Sequence, residues 1–305
     1  MAKVTTNGFT WTAVKDVPFN DTINGITYGD GRFIAVGNRG MIAYSDDDGI
    51  TWTHVKTRGY AHSSRALGSC NIQSIAYGSN CFVAGGSDGR MAYSNDNGVT
   101  WAAVEKSPFS NSIIHAIVYG GGRFVAVAVD GKIAYSADNG ITWTAVKTKA
   151  FGRTRIRSIA YGGGRFVAVG EETKIAYSDD NGDTWTAVKE IAVESDPMEI
   201  TYGGGKFVVG TWDGTVAYSD DNGVSWTVAE TSPFNDCIHT IVFGDFGFAA
   251  GGVESIIAHS DNGLSWTAVK DSFPNDSCIF TIAYGGGRFV AAGDRGNIVY
   301  SSLVK

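Results

Sequence analysis

The sequence predicts an all-β fold, a seven-bladed β-propeller of four-stranded antiparallel blades, and three markers recurring in step predict it. Tryptophan recurs at Trp11, Trp52, Trp101, Trp143, Trp185, Trp226 and Trp266, with gaps of 41, 49, 42, 42, 41 and 40 residues. A YGGGRF-type segment begins at Tyr28, Tyr77, Tyr119, Tyr161, Tyr202, Phe243 and Tyr284, and an AYS-type segment ends at Ser45, Ser94, Ser136, Ser178, Ser219, Ser260 and Ser301. A chain of 305 residues ordinarily suggests two domains. A period of about 42 residues instead suggests one closed array of supersecondary units.

Within the third copy, Ile113 to Tyr119, Arg123 to Ala128, Lys132 to Ser136 and Thr142 to Lys147 alternate apolar with small or polar residues. Gly120-Gly121-Gly122, Asp130-Gly131 and Asp138-Asn139-Gly140 separate them, the signature of strands joined by hairpins. Four strands in about 42 residues make one propeller blade. No segment sustains the i, i+3, i+4 apolar spacing of a helix. The blades are expected near 22–56, 70–105, 112–147, 154–189, 196–229, 237–270, and 278–302 joined by 9–15. The last copy stops after its third strand, at Asn297 to Ser302, while Gly8 to Lys15 read as an orphan fourth strand. Pairing the two completes the seventh blade from both chain ends and removes an open sheet edge.

Between third and fourth strands stands Ser-x-Asp-x-Gly-x-Thr/Ser-Trp, complete in five copies, from Ser45-Asp47-Gly49-Thr51-Trp52 to Ser219-Asp221-Gly223-Ser225-Trp226. The sixth copy, Ser260 to Trp266, is one residue short, and the closing copy keeps Asn7, Gly8, Thr10 and Trp11. This motif resembles the Asp-box, or BNR repeat, of sialidases and other propellers, and the repeats cover nearly the whole chain. An Asx side chain accepts backbone N–H bonds in its own turn and glycine supplies the positive φ. Asp47, Asp96, Asp138, Asp180, Asp221 and Asp261 are therefore assigned a structural role. The resemblance implies boxes at the blade periphery, on the face away from an active site. Sialidases also carry three arginines, a tyrosine nucleophile with a glutamate partner and an acid/base aspartate, usually on six blades. Here Arg39, Arg295 and Arg157 could approach the axis, but the first two come from adjacent turns and the third from blade four, and Tyr60 is the one tyrosine of the other face, so no catalytic residue is assigned.

Net charge of −7 argues against nucleic acid or an anionic membrane as partner. No apolar run is long enough to span a bilayer and no leader is visible, so a soluble chain of unassigned compartment is expected. Four cysteines form no disulfide framework, and Cys237, His239 and Cys278 lack metal-ligand spacing. No cofactor or metal is predicted.

Candidate binding residues lie on the face made by second-to-third-strand turns and blade-to-blade connections, because there the copies differ. One turn position reads Arg39, Asp88, Asp130, Glu172, Asp213, Glu254 and Arg295, charged in every copy. Four residues before each Tyr/Phe marker stand Asn24, Gln73, His115, Arg157, Met198, His239 and Phe280, a variable set at the innermost strand beside an invariant isoleucine. Trp212 falls outside the tryptophan series and offers a stacking surface. The connection after Trp52 is longer and holds Arg58, Tyr60, His62 and Arg65, and that after Trp143 holds Arg153 and Arg155. These features predict a non-catalytic interaction propeller for a glycan or protein partner, monomeric unless part of a larger assembly. The alternatives are an architectural component of such an assembly and a sialidase-like glycoside hydrolase.

Overall fold

The computed structural model describes residues 5–6, 9–55, 66–189, 192–269, 272–274 and 276–303. They form seven antiparallel sheets, six of four strands and one of five. Blade three, which is representative, consists of Ile114–Gly120, Arg123–Ala128, Ile133–Ser136 and Thr144–Val146, running from axis to rim. The rim strands are shorter than the sequence pattern suggests: Thr53–His54 and Ala102–Ala103 have two residues each. Their side chains are largely exposed, since no further strand packs against them, and the Asp-box turn consumes the residues before them.

The ring closes as expected. Phe9–Ala13 pairs antiparallel with Ile298–Leu303, with Thr10 opposite Ser302, Trp11 opposite Ser301 and Thr12 opposite Tyr300. The seventh sheet goes one strand further than the sequence pattern indicates, because Thr5–Thr6 folds back on Phe9–Ala13. Inner strands of successive blades pack on one another around the circle, Ile279–Gly285 against Ile23–Gly29 included.

Apolar burial lies between blades, in seven clusters that each join two neighbours. The phenylalanine of each YGGGRF-type segment is its anchor: Phe33, Phe82, Phe124, Phe166, Phe207, Phe248 and Phe289 are all essentially without exposed surface. A large aromatic contributes most of an element's burial energy. Five box tryptophans are buried, but Trp101 and Trp143 are half-buried, so phenylalanine rather than tryptophan dominates the core. The glycine after each marker tyrosine admits the next blade's ring. A Cβ on Gly29 would stand 2.0 Å from Tyr77, and one on Gly285 would stand 2.0 Å from Tyr28, across the closing seam.

The box chemistry is local and saturated. Ser45 Oγ donates to Asp47 Oδ1 (2.8 Å) and accepts the Gly49 N–H, while Asp47 accepts the Thr51 N–H (2.8 Å) and hydroxyl (2.7 Å). Burial opposes ionisation of this carboxyl, but these hydrogen bonds outweigh it and hold Asp47 below the usual carboxylate range; Asp221 is lowered to about 2 in the same way. The sixth box corrects the assignment of Asp261. Asn262 takes the acceptor role, receiving the N–H groups of Leu264 (2.8 Å) and Ser265 (3.2 Å), because the missing residue falls between the Asx position and Gly263.

Candidate functional site

Every inner strand carries a β-bulge, and every bulge falls at the same place. The ladder shifts register between Ile23 and Gly25, Ile72 and Ser74, Ile114 and Ala116, Ile156 and Ser158, Pro197 and Glu199, Ile238 and Thr240, and Ile279 and Thr281. The skipped residues are Asn24, Gln73, His115, Arg157, Met198, His239 and Phe280. A bulge re-aims its side chain out of the ordinary alternation. All seven line one axial cavity of about 470 Å³, together with Glu199 and Trp212. The seven residues predicted to surround a channel mouth are thus brought together.

The lining is two-sided. Blades one to four supply Asn24, Gln73, His115 and Arg157. Asn24 Nδ2 donates to Asn38 Oδ1 (3.1 Å) and to the Ile72 carbonyl (2.8 Å) of the next blade. Arg157 Nη2 donates to Glu171 Oε1 at 2.6 Å, and Arg155 Nη1 stands 3.4 Å from the same oxygen. Burial, then the charges of Arg157 and Arg155, lowers the His115 imidazole to about 4. Blades five to seven supply Met198, Trp212, His239 and Phe280. The His239 and Phe280 rings lie 4.9 Å apart, and burial also holds His239 below its ordinary value.

The charged turn residues occupy a different place. Arg39, Asp88, Asp130, Glu172, Asp213, Glu254 and Arg295 are all exposed at the tips. Six of them take left-handed conformations, Arg39 at φ 59° and Glu172 at φ 58°, the geometry of a type I′ turn, which points the side chain to solvent. They form a rim around the axial cavity without lining it. Asp130 and Glu172 instead border a second, outer hollow of about 440 Å³ with Arg153, Arg155, Glu171 and Lys174. In blade five the left-handed residue is Gly214 alone (φ 83°). Asp213 accepts the Thr211 hydroxyl (2.6 Å) and the Thr215 N–H (3.1 Å), and Trp212 faces the cavity 56% exposed.

Arg39 and Arg295 stand at turn tips and Arg157 is engaged by Glu171, so the three arginines do not converge as a carboxylate grip. Tyr60, with Arg58, His62 and Arg65, lies outside the described residues. Cys237 Sγ is 3.4 Å from His239 Nδ1, and burial pushes the Cys237 thiol up to about 12. Among the described residues no group of three or more His, Cys, Asp or Glu is placed to hold a metal ion. Sequence reasoning missed two parts of the site. Glu199 occupies a position that is Gly25, Ser74, Ala116, Ser158, Thr240 or Thr281 elsewhere, so a lone titratable residue in a column of small ones was the available signal. The residue before each charged tip, of which only Trp212 was singled out and Asn38 and Glu171 were not, stands fourteen positions after its bulge residue and varies with it.

Comparison with known proteins agrees with this geometry. Residues 43–54 match the BNR/Asp-box repeat and residues 60–198 match the DUF6242 beta propeller domain. The chain is thus a seven-bladed β-propeller that carries BNR/Asp-box repeats. A comparison with curated proteins finds no match. A solved structure of YCF48 bound to D1 peptide superposes with a TM-score of 0.77 at 17% identity, covering 99% of this chain and 97% of that one. YCF48 from Cyanidioschyzon merolae gives 0.74 at 16% identity over 95% and 98% of the two chains. The WD40 beta propeller domain of Doa1 gives 0.74 at 13% identity over 96% of each. At such identities these structures share the fold. No helix among the described residues is long and apolar enough to cross a membrane.

Proposed function

We propose that the chain is a non-catalytic interaction propeller that takes a peptide segment of a protein partner into the axial mouth. One observation carries this reading: seven bulges aim seven side chains of six kinds into one cavity, while the surrounding scaffold is almost identical from blade to blade. A concave site with an apolar arc and a few placed polar groups is what a bound side chain needs. The arc of Met198, Trp212 and Phe280 favours a peptide over a glycan, because methionine and phenylalanine offer a sugar's hydroxyls nothing. The peptide-bound YCF48 structure supports the class of ligand by analogy of fold.

Selection of a random peptide library on the wild-type protein tests this, with Trp212→Ala and Met198→Ala as counter-screens and a glycan array in parallel. Enriched peptides should lose at least about fivefold in affinity with either substitution, the effect of removing one anchor of an interface. Enrichment indifferent to both substitutions, or a glycan whose binding needs Trp212, would overturn the proposal.

A further inference from the structure

Glu199 is the one carboxylate among the residues that line the mouth. In its column a small hydroxyl is what the fold employs: the N–H groups of Ile26, Ile117 and Ile282 donate to Thr281, Ser74 and Thr240 of the preceding blade at 3.0 Å. Blade five places a carboxyl there, and the Ser158 hydroxyl turns to it, donating to Oε1 at 2.8 Å. Arg157, on the neighbouring inner strand, gives its guanidinium to Glu171 instead. Among the described residues, none of the ion pairs includes Glu199. A carboxyl in a confined cavity without a cation is costly to ionise, so it keeps its proton until a cation arrives from outside.

We propose that the mouth recognises a basic side chain of its partner, a lysine or arginine, with the cationic head at Glu199 and the alkyl stem against Met198, Trp212 and Phe280. This rests on the reading of the mouth as the partner-binding site. Long basic side chains lay their methylenes on apolar surface while keeping the charge solvated or paired, and an exposed indole attracts a cation over its face. The rim agrees in sign. Asp88, Asp130, Glu172, Asp213 and Glu254 outnumber Arg39 and Arg295 around the opening, a field that draws cations inward.

Binding is proton-linked. Burial pushes the Glu199 carboxyl up to about 8, so at neutral pH the arriving cation displaces its proton, which leaves to solvent. The other titratable groups lining the cavity are His115, Arg157 and His239. Burial holds both imidazoles neutral above pH 7, and Arg157 stays charged beside Glu171.

The test uses n-butylammonium, the lysine side chain by itself, against n-butanol, read by the Met198 methyl and Trp212 indole NMR signals. The cation should give a saturable shift that n-butanol does not, with affinity rising about fivefold from pH 7 to pH 8. Glu199→Gln should abolish both the preference and the pH slope. Trp212→Ala, at an exposed position, should weaken binding but keep the slope. Equal response to the two probes, no response up to about 50 mM, or a Glu199→Gln protein that retains the slope would overturn the inference. Library peptides that bind at the mouth without a basic residue would sink this inference alone; peptides that bind elsewhere would sink the proposed function.

Discussion

Glu172 and Thr173 both sit at positive φ, 58° and 53°, in a turn where other blades place glycine second, as at Gly40, Gly89, Gly131 and Gly296. A β-branched residue in that region is strained by about 1–3 kcal/mol. Thr173→Gly should therefore stabilise the protein by about 1 kcal/mol. Gly131→Thr should destabilise it by more, since a Cβ there meets the Gly152 carbonyl oxygen at 2.4 Å; chemical denaturation of both variants checks the pair. Glu199 is a larger liability. Its raised value means that the folded state holds a proton the unfolded state releases, so stability is fully present below about pH 4.5 and is lost as pH rises towards 8. Glu199→Thr, the residue of blades six and seven, should stabilise by roughly 2–4 kcal/mol at pH 8 and by almost nothing at pH 4. Melts at the two pH values decide it. The box aspartates were legible residue by residue because a turn's chemistry is written within eight positions. Asp261 misled because the deletion lies after the Asx position, which the one-residue shortfall did not reveal.

At the scale of the strand, the informative feature is the bulge. Its residue could be picked out as a variable column beside an invariant isoleucine, but the bulge is a property of the ladder between two strands and has no composition of its own. The same limit applies to the tryptophans. Their period located the blades, yet Trp143 is half-buried and Trp226 is 5% exposed, a difference that the period itself does not carry. Trp226→Ala should cost about 3–5 kcal/mol, and Trp143→Ala distinctly less, as read from paired urea titrations. One strand also has a built-in acid weakness. His259 stands where other blades have tyrosine, stacked against Phe9 (5.0 Å) and Trp11 (5.8 Å) of the closing strand. Burial lowers it to about 4, so the folded state must forgo a proton that the unfolded chain takes up. Stability is thus lost as pH falls from about 6.5 towards 4, with His115 contributing in the same window. His259→Tyr should flatten the acid limb of the Tm–pH curve; an unchanged limb would remove His259 as its cause.

Across the whole molecule, seven clusters and seven aromatic-on-glycine contacts, six by tyrosine and one by Phe243, make each blade depend on two neighbours, and Phe9–Ala13 is what makes the seventh equivalent to the rest. Removing residues 1–16 strips the edge from Ile298–Leu303 and opens the Phe9, Trp11 and Phe289 cluster. A truncated chain should unfold at a markedly lower temperature and aggregate through the bared edge, which light scattering during a melt would detect. This closure was readable from the order of repeats, since a final copy lacking its fourth strand and a first segment lacking the other three require each other. The cavity was not readable as a volume, because its size depends on how seven inner strands meet at the axis. Methionine reports on it directly. Of the four methionines, Met198 lines the mouth while Met41 and Met91 are buried between blades. With methyl-labelled methionine and a saturating selected peptide, the Met198 signal should shift strongly while those of Met41 and Met91 stay near their free positions. An unmoved Met198 signal at saturation would contradict the axial mouth as the binding site.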